Sequence, residues 1–282
     1  MGHRKTLPWL AAAAILTTAC GGASTAAGPS PAPESQNKAL VLRLYSEAFN
    51  QNKTDVVKEL VGADLPGGAD GQIKQFQDLK AKIPGAVATV KRTAADGDLV
   101  AVHWHASATP ANEATGEAKI DLYRVGNGKL VEHWSITQTV PATTASGNSL
   151  FSDQYQYPNG ASALSEEQEE KNRTFAVEAY RKLSDGDATV IDTSWDPRYY
   201  QHNPAAANGT DPLKQFMQQQ GVTPPSGTPG AATRSGGTQF GNTLADGDLV
   251  WVFSSDYVVA DIFRVVDGKI IEHWDVVADG QQ

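Results

Sequence analysis

One fifteen-residue stretch occurs twice in this chain, and that repetition limits the possible folds more than any other feature. DLYRVGNGKLVEHWS runs from Asp121 to Ser135, and DIFRVVDGKIIEHWD runs from Asp261 to Asp275. Each is centred on a turn pair, Asn127-Gly128 or Asp267-Gly268, between strand-like runs, the signature of a tight hairpin. Three further landmarks recur in the same order: a helix-like segment at Asn37 and Asn172, KQF at Lys74 and Lys214, and ADGDLV at Ala95 and Ala245. The apolar residues Val41, Leu44, Tyr45 and Ala48, and likewise Ala176, Ala179, Tyr180 and Leu183, fall at helical spacing. The expectation is a tandem duplication, each copy built of helices followed by antiparallel strands.

The offset between copies is 135 residues at the helix, 140 at KQF, 150 at ADGDLV and 140 at the final hairpin. The second copy therefore has additional chain around WDPRYYQHNPAAANGTDPL and in the Pro/Gly-rich GVTPPSGTPGAATRSGGTQ, and a shorter connection near Ser254 to Tyr257. The expected division is a signal at 1–20, a tether at 21–36, a first domain at 37–141, a linker at 142–165 and a second domain at 166–282. Ser165 is placed to cap the first helix of the second domain.

The 282 residues suffice for two ordinary domains. A net charge of −9 argues against a nucleic-acid partner, which would call for a basic stripe. The start, MGHRKTLPWLAAAAILTTAC, has two basic residues, a short apolar run and small residues before Cys20, the pattern of a secretory signal. The run from Leu7 to Leu16 is too short for a permanent membrane span. Leu16-Thr17-Thr18-Ala19-Cys20 resembles a bacterial lipobox, and Cys20 is the only cysteine. That resemblance implies lipidation at Cys20 and a place on the extracytoplasmic side of the cell membrane, or secretion if the lipobox is not used.

QHNP (Gln201 to Pro204), ADGDLV and DIFR–DGK–EHWD together resemble the SnoaL-like polyketide cyclases of the nuclear transport factor 2-like superfamily. The resemblance covers nearly all of Asn172 to Val277 and, less completely, most of Asn37 to Gln138. It implies two tandem cone-shaped α+β barrels, each with N-terminal helices packed on a curved antiparallel sheet around a pocket. It also implies that a carboxylate serves as proton shuttle in the members that catalyse ring closure, with Asp275 at that position. Such domains pair through the outer sheet face, which implies an intramolecular pseudo-dimer.

On a strand, residues two apart share a face, so His273 and Asp275 point together, with Ile271 and Val277, and Glu272 and Trp274 point away. An imidazole beside a half-buried carboxylate is an acid/base pair, and burial moves the carboxyl pKa toward neutrality. His202 is placed to close the same pocket, and Tyr200, Phe263, Arg264 and Trp251 are candidate ligand contacts. Asp261 depends on the hairpin register: a two-residue turn sets it opposite Trp274, and a three-residue loop with a bulge sets it opposite His273. The first copy has Ser135 in place of the acid and should not catalyse. His103, His105 and His133 are three imidazoles, but no further ligand of diagnostic spacing accompanies them, and neither metal nor cofactor is expected. Two functions stay open: a membrane-tethered binder of a small apolar or carbonyl-bearing molecule, and a cyclase, isomerase or hydrolase using Asp275 with His273 without metal.

Overall fold

The computed structural model describes residues 33–219 and 238–281, so Cys20 and the Pro/Gly-rich stretch at 220–237 lie outside the described residues. Helix α1 (Pro33–Arg43) runs into a π-helical segment (Leu44–Phe49), followed by α2 (Thr54–Leu60) and α3 (Gly68–Lys82). Strands β1 (Val87–Asp96), β2 (Leu99–Ser107), β3 (Glu117–Gly126) and β4 (Lys129–Thr139) form an antiparallel sheet in that order. The second half comprises α4 (Glu166–Ser184), α5 (Val190–Ser194), β5 (Trp195–Gln201), α6 (Thr210–Gln219), β6 (Phe240–Asp246), β7 (Leu249–Ser254), β8 (Val259–Val266) and β9 (Lys269–Val277). Its sheet order is β5-β9-β8-β7-β6, and β5 lies parallel to β9 while the other pairings are antiparallel. The α+β class expected from sequence is the one observed. Among the described residues no helix is long and apolar enough to cross a membrane.

Apolar periodicity explains the layers. Val41, Leu44, Tyr45 and Ala48 pack with α2, α3 and the inner face of the first sheet. Ala176, Ala179 and Leu183 of α4, with Leu213 of α6, cover Val250, Val252, Phe263 and Val265 of the second sheet. The opposite faces of both sheets meet in one shared apolar layer, where Trp251, Phe253, Ile262 and Trp274 pack with Ala101, Ile120, Leu122 and Ile136. Each large side chain buried there contributes about 1.5–3 kcal/mol. The segment at 142–165 is woven into this layer: Leu150 and Phe151 are buried in it, and the Trp274 indole donates to the Ser152 carbonyl at 2.8 Å. Ser165 caps α4 by accepting the Gln168 N–H.

The ADGDLV turns touch reciprocally. The Asp246 carboxylate accepts the Ala95 N–H at 2.8 Å, and the Asp96 carboxylate accepts the Ala245 N–H at 3.0 Å. Lys38 pairs with Asp246 and Arg173 with Asp96. The hairpin turns carry positive φ at both central residues, Asn127 and Gly128 in one and Asp267 and Gly268 in the other, which explains the Asn-Gly and Asp-Gly sequences.

Candidate functional site

The site takes its geometry from the register of the β8–β9 hairpin. Val266 pairs with Lys269 and Val265 with Ile270, after which Ile271 bulges and Arg264 pairs with Glu272. The shift carries Asp261 opposite Asp275, not opposite Trp274 or His273 as the two sequence registers had it. The bulge also reassigns a face, since Ile270 rather than Ile271 joins the helix-side core. The first hairpin bulges at the same place, at Val131, and sets Asp121 opposite Ser135.

Asp261, Phe263, His273, Asp275 and Val277 line a cavity of about 410 Å³ between the second sheet and its helices. Leu183, Trp195, Leu213, Phe216 and Met217 form much of its wall, and Gln138 from β4 reaches its edge. The floor is held by the QHNP turn. Gln201 Oε1 accepts the backbone N–H groups of His202 and Asn203 at 2.8 and 2.9 Å, so its orientation is set and it faces His273 Nδ1, at 2.9 Å, as an acceptor. His273 Nδ1 therefore carries the proton, while Nε2 lies 2.9 Å from Asp261 Oδ1 and shares a second proton with that carboxylate. Asn203 Oδ1 accepts the Ala205 N–H, which directs its NH2 group to Asp275 Oδ2 at 2.5 Å. Asp275 Oδ1 is buried and has no hydrogen-bond partner. Burial pushes the Asp275 carboxyl up, Asp261 adds to the rise, and His273 and Asn203 oppose it; the outcome is about 6. Such a group takes and returns protons near neutral pH.

Several sequence candidates lie elsewhere. His202 is fully buried on the far side of β9, 3.0 Å from Glu272 and stacked on Trp274 at 4.9 Å, so it does not close the pocket. Tyr200 is also turned away, and Tyr199 lines the cavity in its place. The reason is alternation: along 199–203 the odd-numbered side chains face inward and the even-numbered ones outward, set by the pairing of Gln201 with His273. Arg264 does not line the cavity but sits in an ionic network with the buried Glu272 and with Asp248 and Asp153. Trp251 belongs to the layer between the sheets. Phe263 does line the cavity, stacked on His273 at 4.8 Å. Sequence reasoning passed over Gln201, Asn203, Tyr199 and Tyr180 because it chose by residue type; the alternation in YYQHN was the signal available.

Asp261, His273 and Asp275 bring ligand atoms within 4.8 Å of one another, a spacing compatible with a cation. Both imidazole nitrogens, however, already face acceptors, so a metal would have to displace Gln201 or Asp261 from His273.

The corresponding position in the first half has different chemistry. Asp121 accepts from Tyr45 Oη at 2.7 Å, Trp104 Nε1 at 2.6 Å and His133 Nε2 at 3.2 Å. Burial raises its carboxyl, but the hydrogen bonds from His133 and Ser135 and the nearby Lys119 charge outweigh that and hold it at about 2. It lies against an open cavity of about 490 Å³ with Phe76, Lys119 and Ser135. The three imidazoles of this half do not converge: His133 stacks on Tyr123 by that cavity, whereas His103 and His105 stack on Phe151 behind the sheet.

Residues 39–145 match the sequence model of the SnoaL-like polyketide cyclase family. No curated protein matches the chain. Among solved structures, IdmH of Streptomyces antibioticus, described as a candidate polyketide cyclase, is 27% identical, with a TM-score of 0.31 and coverage of 36% of this chain and 92% of that one. A candidate polyketide cyclase of Bacillus cereus is 18% identical with a TM-score of 0.33, covering 37% of this chain and 75% of its own. A candidate SnoaL-like polyketide cyclase of a Jannaschia species is 21% identical with a TM-score of 0.32, covering 39% and 92%. The family match falls on the half with Ser135, not on the half with Asp275. The match to the SnoaL-like polyketide cyclase family model is thus confined to residues 39–145, within the first half of the chain.

Proposed function

We propose that this is an exported protein, lipid-anchored through Cys20, in which two SnoaL-like units are fused as an intramolecular pair and the second binds a small, mostly apolar molecule. The observation that carries the binding reading is the cavity of about 410 Å³, walled by apolar and aromatic side chains around one buried, incompletely bonded carboxyl. Sites of this make-up hold small organic ligands by burying their bodies and orienting one polar group. The reciprocal contacts of Asp96 and Asp246, and the apolar layer between the sheets, support the fused pair. The basic, apolar and small-residue pattern ending at Cys20 supports export and anchoring.

A second reading, an acid/base enzyme of cyclase, isomerase or hydrolase type, is favoured by Asp275 alone. A carboxyl near 6 in an apolar wall is suited to removing a proton from an acidic C–H group and returning it. Asn203 would hold Oδ2 while Oδ1 meets the substrate, and the Asp261–His273 pair beneath would take up the change in charge.

Titration of the purified protein with a metabolite collection, read by native mass spectrometry and repeated with Asp275→Asn, tests both. Saturable binding blocked by a bulky Val259→Trp substitution at the cavity wall supports the binding reading. Absence of any bound species refutes it. Product formed by the wild type and lost in Asp275→Asn supports the enzyme; turnover that survives the substitution removes Asp275 from that role.

A further inference from the structure

The polar floor of the second cavity is unbalanced in a way that specifies the head group of its ligand. Among the described residues no lysine or arginine lines it, whereas two carboxylates, Asp261 and Asp275, do. The single imidazole at the floor is committed: His273 donates Nδ1–H to Gln201 and shares its other proton with Asp261. Asp261 is therefore answered by His273 and the Tyr180 hydroxyl, and Asp275 has only neutral donors, the amide of Asn203 on one oxygen and its own backbone N–H. Its other oxygen is buried without a partner. The Trp195 indole, also at the wall, is a neutral donor beside the Tyr199 hydroxyl and cannot offset a carboxylate.

From this geometry we infer that the ligand presents a protonated amine to Asp275 Oδ1, with its apolar body between the aromatic walls. The inference rests on the cavity being a small-molecule site and narrows what that site accepts. An ammonium supplies the missing N–H donor and the missing positive charge together, making a charge-assisted hydrogen bond out of water. Tyr180, Tyr199 and Phe263 line the same cavity with aromatic surface, which attracts a cation where a ring face is open to it. A neutral alcohol supplies the donor without the charge. A carbonyl turns lone pairs toward a carboxylate, and a carboxylic acid brings a like charge into the same buried space, which is strongly disfavoured. Above the Asp275 midpoint the ionised form predominates, so the preference is full at pH 7.5.

Four probes of one body separate these cases: naphthylmethylamine, naphthylmethanol, naphthaldehyde and naphthoate, titrated at pH 7.5 into the full protein with tryptophan fluorescence and calorimetry. The expected order is amine, then alcohol, then aldehyde, then naphthoate, with the amine at least about tenfold tighter than naphthoate. In Asp275→Asn the amine should lose its advantage and bind no better than the alcohol, a change that the overall negative charge of the protein would not produce. Saturable binding in which the aldehyde or naphthoate equals or exceeds the amine overturns the inference and leaves the cavity a binding site. An amine preference unchanged in Asp275→Asn overturns the role of Asp275. If none of the four binds, the inference falls together with the reading of the cavity as an apolar ligand site.

Discussion

Asp275 stands directly opposite Asp261 across the β8–β9 ladder, and the imidazole of His273 answers only the second of them. The same place in the first sheet pairs Asp121 with Ser135, and there the one carboxylate is saturated with donors. The two halves therefore differ in the free energy of one ionisation, and that difference is measurable.

Asp275 carries a cost. Its folded value of about 6 lies above the ordinary 3.8, so between pH 4 and 6 the folded protein holds more protons than the unfolded chain. Stability attributable to this group is present at low pH and is lost as pH rises through that window. Asp275→Asn should raise stability at pH 7.5 by about 1–3 kcal/mol, with the gain shrinking toward pH 4, in urea unfolding measured across that range.

Asp121 acts in the opposite sense. Its value of about 2 lies below the ordinary 3.8, so its contribution is present above pH 4 and is lost as pH falls toward 2. Asp121→Asn should cost about 2 kcal/mol at neutral pH and flatten the acid limb of the stability profile.

The reciprocal bonds of Asp96 and Asp246 predict matched effects from distant positions. Asp96→Ala removes the acceptor of the Ala245 N–H and the partner of Arg173, and Asp246→Ala removes the acceptor of the Ala95 N–H and the partner of Lys38. Each should cost about 1–2 kcal/mol in thermal or urea unfolding, and the two costs should agree closely.

Trp274 joins the two halves: it packs in the shared apolar layer, bonds Ser152 and lies under the Arg92 guanidinium at 3.8 Å. Trp274→Ala should cost about 3–5 kcal/mol. A soluble form without the signal segment should scatter light as a compact monomer, its paired sheet faces already covered within the chain.

The α+β class, the two hairpins, the helix faces and the sharing of one face by His273 and Asp275 follow from periodicity, because alternation and turn chemistry are local. The register of Asp261 does not, since a one-residue bulge at Ile271 leaves no local mark in a run of apolar residues. The parallel pairing of β5 with β9 is likewise non-local: alternation groups Tyr199, Gln201 and Asn203 against Tyr200 and His202, but only that pairing decides which group faces the cavity. The docking of Leu150 and Phe151 between the sheets was hidden by the polar composition around them, yet Phe151, Asp153 and Gln154 bond the buried charges of Arg92, Arg264 and Glu272.

Ligand binding, proton exchange and amine recognition in the second cavity all depend on the environment of one carboxyl group. Carbon-13 NMR titration of the protein labelled at aspartate Cγ, with Asp275→Asn to assign the signal, reads it directly. We expect Asp275 to titrate with a midpoint near 6, roughly two pH units above an exposed aspartate. A midpoint near 4, with the ordinary chemical shift of a hydrated carboxylate, would contradict a buried proton-exchanging acid at the floor of the cavity.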